Sequence, residues 1–378
     1  MVGSAEIARA QTSTLAGPSK KQLDEIVEKG LNYLSSEGQA EDGTFSKRVG
    51  PGVTSLAITA ALRHGRSLED PMVKKGLAAL ETYIKPDGGI YGNGRLKNYE
   101  TCVAMICFAE ANTKGQYDEV LKRARAFVTE LQYGTGQNAD PNDPWYGGVG
   151  YGGSGRPDLS NTAFLIEALV AADAGADDEA VRRALIFVSR CQNLDSPANK
   201  TAFSKLVKDG GFYYELPREK VDPSTSPERY TENGGLRSYG SMTYAGMKSM
   251  IYAGLTPDDP RVKAAVAWLK DNYRLDQNPG QGTAGLFYYY HTLASSLETA
   301  RIAEISDAEG DAHAWQQELI AELAKRQAAD GSWANENQQW FENDKNLATS
   351  FALMALAYCG RPIAENGEGS NSEDAKDQ

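Results

Sequence analysis

The sequence predicts an all-α protein, an α/α toroid (α6/α6 barrel) of six helical hairpin repeats. Two kinds of helical segment alternate six times along the 378 residues, one amphipathic and one apolar on most faces. A glycine-containing turn with an aromatic residue joins the two helices of each repeat. Since the two kinds of helix need different surroundings, we expect the apolar helices to form an inner ring and the amphipathic helices an outer ring.

The first helix of each repeat carries a single apolar stripe. Apolar residues recur at i, i+3, i+4 and i+7, and basic residues occupy the opposite face. This pattern predicts outer helices with one side in water. The segments read VEKGLNYL, VKKGLAAL, KRARAFV, VRRALIFV, VKAAVAWL and QELIAELAKRQ.

The turns that follow combine glycine with an aromatic residue. They read QAEDGTF, KPDGGIY, WYGGVGY, KDGGFYY, TAGLFYY and AADGSW. Glycine reaches positive φ without strain, so Asp-Gly and Gly-Gly reverse the chain. We expect the aromatic residue to fill the gap between hairpins, which makes Trp333 a packing residue. A glutamine at the end of an outer helix, such as Gln327, can bond exposed backbone carbonyls.

The second helices are apolar nearly all round and are therefore expected to be buried. They read VTSLAITAAL, ETCVAMICFAEA, LSNTAFLIEALVAA, YGSMTYAGMKSMIYA, YHTLASSLETA and LATSFALMALAY. In an open solenoid the two helices of a repeat would usually bury comparable faces, so we favour a closed ring. The predicted organisation is a disordered arm over 1–19, one toroid over 20–362 and a disordered acidic tail over 363–378.

Composition narrows the possible partners. The net charge is −12 and the pI is about 4.9, which argues against a nucleic-acid partner. No apolar run is long enough for a membrane-spanning helix. Without a visible signal peptide we expect a cytoplasmic protein, and a periplasmic or exported one if the N-terminus is truncated. The four scattered cysteines are interpreted as buried thiols. The oligomeric state is left open.

The segment LAKRQAADGSW, from Leu323 to Trp333, resembles the QW motif of squalene–hopene and oxidosqualene cyclases. Over nearly the whole chain, the repeats resemble the prenyltransferase/squalene-cyclase repeat superfamily. This resemblance implies a toroid with a central cavity and an isoprenoid ligand, because members cyclise polyprenes or transfer prenyl groups. Other toroids bind different ligands, so the fold alone does not fix the substrate.

The segment from Arg156 to Leu169 resembles the Asp-x-Asp-Asp element with which cyclases protonate an alkene. Asp158 occupies its first acidic position, whereas Ser160 and Asn161 occupy the positions of the other two aspartates. A serine hydroxyl cannot protonate an alkene, so Asp158 is the candidate acid and Ser160 and Asn161 are candidate binding residues. The alternative is helix capping, for which these residue types are well suited.

The zinc site of the protein prenyltransferases is matched only in part. The segment from Tyr289 to Leu297 resembles the stretch that carries the zinc histidine, which would be His291. The expected aspartate and cysteine ligands are missing, so no metal and no cofactor are predicted. His291 is a candidate catalytic proton donor, and the alternative is a satisfied, half-buried imidazole.

Many of the 19 tyrosines cluster at the turns. Those that face the axis could stabilise a carbocation, stack on a sugar or line a lipid pocket. We select Tyr151, Tyr239, Tyr244 and Tyr290 as candidate binding residues. The leading hypothesis is a terpene cyclase-like or prenyltransferase-like toroid with an isoprenoid in an aromatic-lined cavity. The alternatives are a non-catalytic binding or scaffold toroid and, more weakly, a polysaccharide-acting barrel with paired carboxylates in an open groove.

Overall fold

The computed structural model describes residues 18–134, 140–152, 155–219 and 222–361, and it confirms the all-α toroid. Twelve α-helices lie within these residues, and odd-numbered and even-numbered helices form different layers. The outer helices are α1 (Pro18–Tyr33), α3 (Pro71–Glu81), α5 (Asp118–Glu130), α7 (Glu179–Arg190), α9 (Pro260–Asp271) and α11 (Trp315–Arg326). The inner helices are α2 (Gly52–Arg63), α4 (Lys97–Ala111), α6 (Leu159–Ala171), α8 (Gly240–Tyr252), α10 (Leu286–Thr299) and α12 (Lys345–Cys359).

The inner helices form a closed ring. Each packs against the next along the chain, and α12 packs against α2. The outer helices α3, α5, α7 and α9 each cover the inner helix that precedes them, while α11 and α1 cover α12. A two-stranded antiparallel hairpin, β1 (Ile305–Ser306) and β2 (Ala312–His313), lies between α10 and α11 in the chain. The predicted arm and tail fall outside the described residues, except that Pro18 and Ser19 already belong to α1.

Four glutamines join neighbouring repeats in the same way. Each lies after an outer helix, and its Nε2 donates to a glycine carbonyl of its own turn and to a carbonyl of the next outer helix. The four are Gln39, Gln132, Gln192 and Gln327. Gln327 closes the ring, because its second acceptor is the Ile26 carbonyl of α1 at 2.9 Å. The predicted role of this glutamine is confirmed.

Trp333 fills the gap between the last and the first repeat. The ring is fully buried, and its Nε1 donates to the Leu323 carbonyl of α11 at 2.8 Å. It lies so close to α1 that a Cβ on Gly30 would come within 2.8 Å of the indole. The packing role predicted for Trp333 is confirmed, and it explains why a small residue stands at position 30.

The axis of the ring differs from the expected open cavity, because side chains fill it. Phe164 lies 5.3 Å from Tyr99 and 6.1 Å from Tyr288, measured between ring centroids, and Tyr288 lies 5.7 Å from Phe351. Below these rings, a cavity of about 10 Å³ remains between α6, α8 and α10, which is room for about one water molecule.

An ion pair occupies the centre beside this cavity. The Lys248 Nζ of α8 lies 2.8 Å from a carboxylate oxygen of Glu167 of α6, and both side chains are almost fully buried. Lys248 also donates to Ser295 Oγ at 3.2 Å. Two long side chains from neighbouring inner helices therefore meet here and take up part of the space that smaller apolar residues would leave open.

Candidate functional site at the mouth of the ring

The N-terminal ends of the inner helices lie on one side of the toroid, and five side chains meet there around the axis. We call Tyr151, Asp158, Tyr214, Tyr239 and Tyr288 the mouth cluster. Asp158 immediately precedes α6, Tyr239 precedes α8 and Tyr288 lies in the first turn of α10. Electrostatic interactions link all five groups. The backbone N–H of Leu159 donates to the Tyr214 carbonyl at 2.7 Å, and this bond holds the Tyr214 segment against the start of α6.

Asp158 is the buried acid of the mouth cluster, with 3% of its surface exposed. One carboxylate oxygen accepts the Asn161 backbone N–H at 2.8 Å, and the other accepts the Asn161 side-chain amide at 2.9 Å. Burial raises the pKa of Asp158 to about 7, because the hydrogen bonds from Asn161, the nearby Tyr214 hydroxyl and the charge of Arg156 offset desolvation only in part. The side chain is therefore both a helix cap and a carboxyl group that titrates near neutral pH.

Two tyrosine hydroxyls connect Asp158 to the surface. The Tyr214 hydroxyl lies close enough to the Asp158 carboxylate and to the Tyr151 hydroxyl to interact electrostatically with both. Burial, followed by the negative charge of Asp158, raises the pKa of Tyr214 well above its usual range. Tyr151 is 38% exposed, so the chain of polar groups runs from a buried acid to solvent. Such a chain can carry a proton between Asp158 and a ligand at the mouth.

Ser160 and Asn161 flank this chain on opposite sides. Ser160 is half-buried, and its Oγ lies 2.9 Å from the Tyr288 hydroxyl. Asn161 is 1% exposed and holds Asp158, while the Asn98 amide donates weakly to the Asn161 carbonyl at 3.4 Å. Ser160 therefore adds a hydroxyl to the mouth, whereas Asn161 fixes the orientation of the acid.

An exposed aromatic pair forms the rim of the mouth. Trp340 is 48% exposed and Phe341 is 67% exposed. The Trp340 ring lies 6.1 Å from the Tyr214 ring, measured between centroids, at an interplanar angle of 47°. Sequence reasoning selected neither Tyr214 nor Trp340. The available signal was an aromatic pair inside an otherwise polar segment, NENQQWFEND.

Three of the predicted site residues lie elsewhere. His291 is 1% exposed and stacks on Phe351 at 5.8 Å, deep in the axis. Burial and the nearby Lys248 lower the pKa of His291 to about 3, so the imidazole is neutral. Tyr290 donates to the Leu275 carbonyl at 2.5 Å, and Tyr244 lies near Tyr289 and Tyr273, so both face the outer layer.

The mouth cluster consists of one carboxyl group and four tyrosine hydroxyls. Within the described ranges, no group of three or more His, Cys, Asp and Glu side chains is placed to hold a metal ion. No helix in that part of the chain combines the length and apolarity needed to cross a bilayer.

Solved structures share this fold at low sequence identity. A D-mannose isomerase superposes with a TM-score of 0.61 at 13% identity, over 92% of this chain and 99% of the other. A type II terpene cyclase from Scytonema gives 0.54 at 14% identity, over 90% and 98%. A glycosidase in complex with glucose gives 0.51 at 12% identity, over 92% and 99%.

No protein-family model matches the sequence, and no curated protein matches it. The structural similarities therefore establish an α/α toroid of the kind that these enzymes share, and they establish the fold alone. The resemblance of the repeats to the QW type stays a prediction.

Proposed function

We propose that the protein is an enzyme that transfers a proton to or from a ligand bound at the mouth of the ring. Asp158 is the acid or base, and Tyr214 and Tyr151 connect it to the ligand. The observation that carries this proposal is the burial of Asp158 beneath half-exposed tyrosines, with a pKa of about 7. A buried carboxyl group that titrates near neutral pH, with polar partners and an outlet to solvent, is typical of an active site.

The pKa of Asp158 also favours one kind of reaction. Alkenes are very weak bases, and an acid with a pKa near 7 is a poor donor to them. A positioned carboxyl group of this kind can transfer a proton to a hydroxyl, carbonyl or ether oxygen as negative charge develops on that oxygen in the transition state. We therefore favour isomerisation, hydrolysis or group transfer at an oxygen-bearing carbon over protonation of a polyprene.

The isoprenoid hypothesis remains the second candidate. Its support is the aromatic lining below Asp158, formed by Tyr99, Phe164, Tyr288 and Phe351. The cavity of about 10 Å³ beside Lys248 and Glu167 is too small for a prenyl chain. A long isoprenoid would therefore have to part these rings and separate Lys248 from Glu167.

The test is deuterium incorporation. The protein is incubated in D₂O with hexoses and their oligomers, and separately with geranylgeranyl diphosphate and squalene, and the products are analysed by mass spectrometry. We expect turnover of an oxygen-bearing substrate, loss of turnover in Asp158→Asn, and a large reduction in Tyr214→Phe. Asp344→Asn, which removes the carboxylate cap of α12, is the matched control.

The outcomes separate the candidates. Turnover of the polyprenes alone would favour the isoprenoid hypothesis. Equal turnover by the wild type and Asp158→Asn would refute the role of Asp158. Turnover of no substrate would favour the non-catalytic toroid.

A further inference from the structure

The rim pair has an unusual backbone. Trp340 and Phe341 both have a φ of 63°, in the left-handed region that residues other than glycine seldom occupy. Two bulky residues in succession adopt it here while remaining largely exposed, so burial of their own side chains does not compensate for the strain. Strain of this kind concentrates at ligand-binding sites, where the surrounding structure enforces it.

Glu342 anchors the chain directly after this pair. It is 1% exposed, and its carboxylate accepts the backbone N–H groups of Phe287 and Tyr288 at 3.2 and 2.8 Å. The Asn335 amide donates to the same carboxylate at 2.8 Å. A buried carboxylate that follows the rim pair in the chain thus ties it to the first turn of α10, which also carries Tyr288 of the mouth cluster.

The rim leaves a flat aromatic face open to solvent. The Trp340 indole lies close to Gly285, where a Cβ would come within 3.4 Å of Cδ1, and it is tilted against the Tyr214 ring at 6.1 Å between centroids. Tyr214 links the indole ring to the hydroxyl groups of the mouth, where Ser160 and Tyr288 lie 2.9 Å apart and Tyr151 is exposed. The rim and the mouth together therefore offer an aromatic ring and several hydroxyl groups.

A ligand that matches this surface needs apolar C–H faces and hydroxyl groups in the same ring. A purely hydrocarbon ligand would cover these hydroxyls without replacing their hydrogen bonds to water, which weakens binding. The charge near the mouth does not favour an acidic ligand, since Arg156 and Arg229 both pair with the buried Glu215.

We infer that the rim binds a neutral carbohydrate, with one sugar ring stacked on Trp340 and its hydroxyl groups directed towards Ser160, Tyr288 and Tyr151. Stacking on an aromatic face and hydrogen bonding by surrounding hydroxyls act together on a single pyranose ring. This inference names the ligand class for the proposed function, and it rests on that proposal for the placement of the reacting atoms near Asp158.

The test follows the indole N–H signals of the ¹⁵N-tryptophan-labelled full-length protein. Five tryptophans give five signals, and Trp340→Phe assigns the one of interest. Glucose, mannose, cellohexaose, mannohexaose and xylohexaose are titrated in turn to about 50 mM, where a Kd of about 10 mM is measurable. We expect at least one of them to shift the Trp340 signal while the Trp268 signal of α9 stays in place.

Variants then separate stacking from folding. Trp340→Ala should weaken binding about tenfold, whereas Trp340→Phe should retain most of the affinity because it keeps a ring. Trp268→Phe, on the outer layer, should bind like the wild type. Unchanged affinity in Trp340→Ala, a rim signal that none of the five saccharides shifts, or a shift with farnesol instead of the saccharides would each overturn the inference.

The result also separates this inference from the proposed function. Binding should persist in Asp158→Asn, because the stacking face does not include the acid. A saccharide that binds at Trp340 without being turned over would support the carbohydrate site and refute the proposed catalysis. Conversely, turnover of an oxygen-bearing substrate with the same KM in Trp340→Ala would support the catalysis and refute the stacking site.

Discussion

Replacing Asp158 by asparagine should change the way the stability of the protein depends on pH. In the folded chain the carboxyl group has a pKa of about 7, against 3.8 for an unperturbed aspartate, so the folded state keeps a proton that the unfolded state releases. The stabilisation from this group is complete below about pH 4 and is lost as the pH rises through 7. The loss between these limits amounts to about 4 kcal/mol.

Asparagine is a suitable probe because it also caps helices well and can still accept the Asn161 backbone N–H. Its amide nitrogen would face the Asn161 amide, at a cost of about 1 kcal/mol that does not vary with pH. We therefore expect the wild type to be slightly more stable near pH 4. At pH 8 the variant should be more stable by about 3 kcal/mol.

Guanidinium unfolding of both proteins between pH 4 and 8 measures this change. The informative quantity is the difference in unfolding free energy between variant and wild type, because the other titrating groups contribute equally to both. Asp344→Asn, at a partly exposed cap of α12, shows what the same exchange costs at another inner helix. A difference for Asp158→Asn that varies by less than about 1 kcal/mol over this range would refute the reasoning.

Further predictions concern the axis and the closure of the ring. Lys248→Met should cost about 3–5 kcal/mol in guanidinium unfolding because it leaves the buried Glu167 without its partner, and adding Glu167→Leu should restore most of the loss. If the single variant Lys248→Met and the double variant with Glu167→Leu lose equal unfolding free energy, the charge argument is contradicted. Trp333→Ala should cost about 3–5 kcal/mol in the same assay, and Trp333→Phe clearly less. Gln327→Leu removes the amide donor to the Ile26 and Gly331 carbonyls and should lower the free energy of unfolding by about 1–3 kcal/mol. If the ring opens at this closure, backbone hydrogen exchange in α1 should also become faster.

The fold could be predicted because the helix and turn patterns that determine it recur within each repeat. Each repeat has a glycine turn, an aromatic residue that packs between hairpins and, in four repeats, a glutamine. These residues contact only their own repeat or the next one, so their positions in the sequence predict their contacts. Gln327 and Trp333 illustrate this, since their partners lie in α11, in their own turn and in α1. Ring closure follows once the last repeat presents the same groups to the first.

One sequence motif could predict only those site residues that are neighbours in the chain. Asp158, Ser160 and Asn161 are contiguous and share one helix start, so a single motif suggests all three. Tyr214 and Trp340 come from other repeats and reach the same place only because the ring brings their turns to one end. Tyr214 stands in an aromatic run like that of Tyr290, which faces the outer layer, and the polar surroundings of Trp340 indicate an exposed aromatic residue but not its proximity to Tyr214.

The filled axis differs from the central cavity that the family resemblance implies, and two charged residues of the inner helices explain the difference. Glu167 and Lys248 each appear as a lone charge in an apolar helix, and an isolated buried charge would be too costly to retain. Two such charges of opposite sign on neighbouring inner helices therefore imply a pair, and the structure shows this pair between α6 and α8. The same ion pair that makes these charges tolerable takes up space in the axis beside a cavity of only about 10 Å³, and this favours the mouth for the ligand site that we propose.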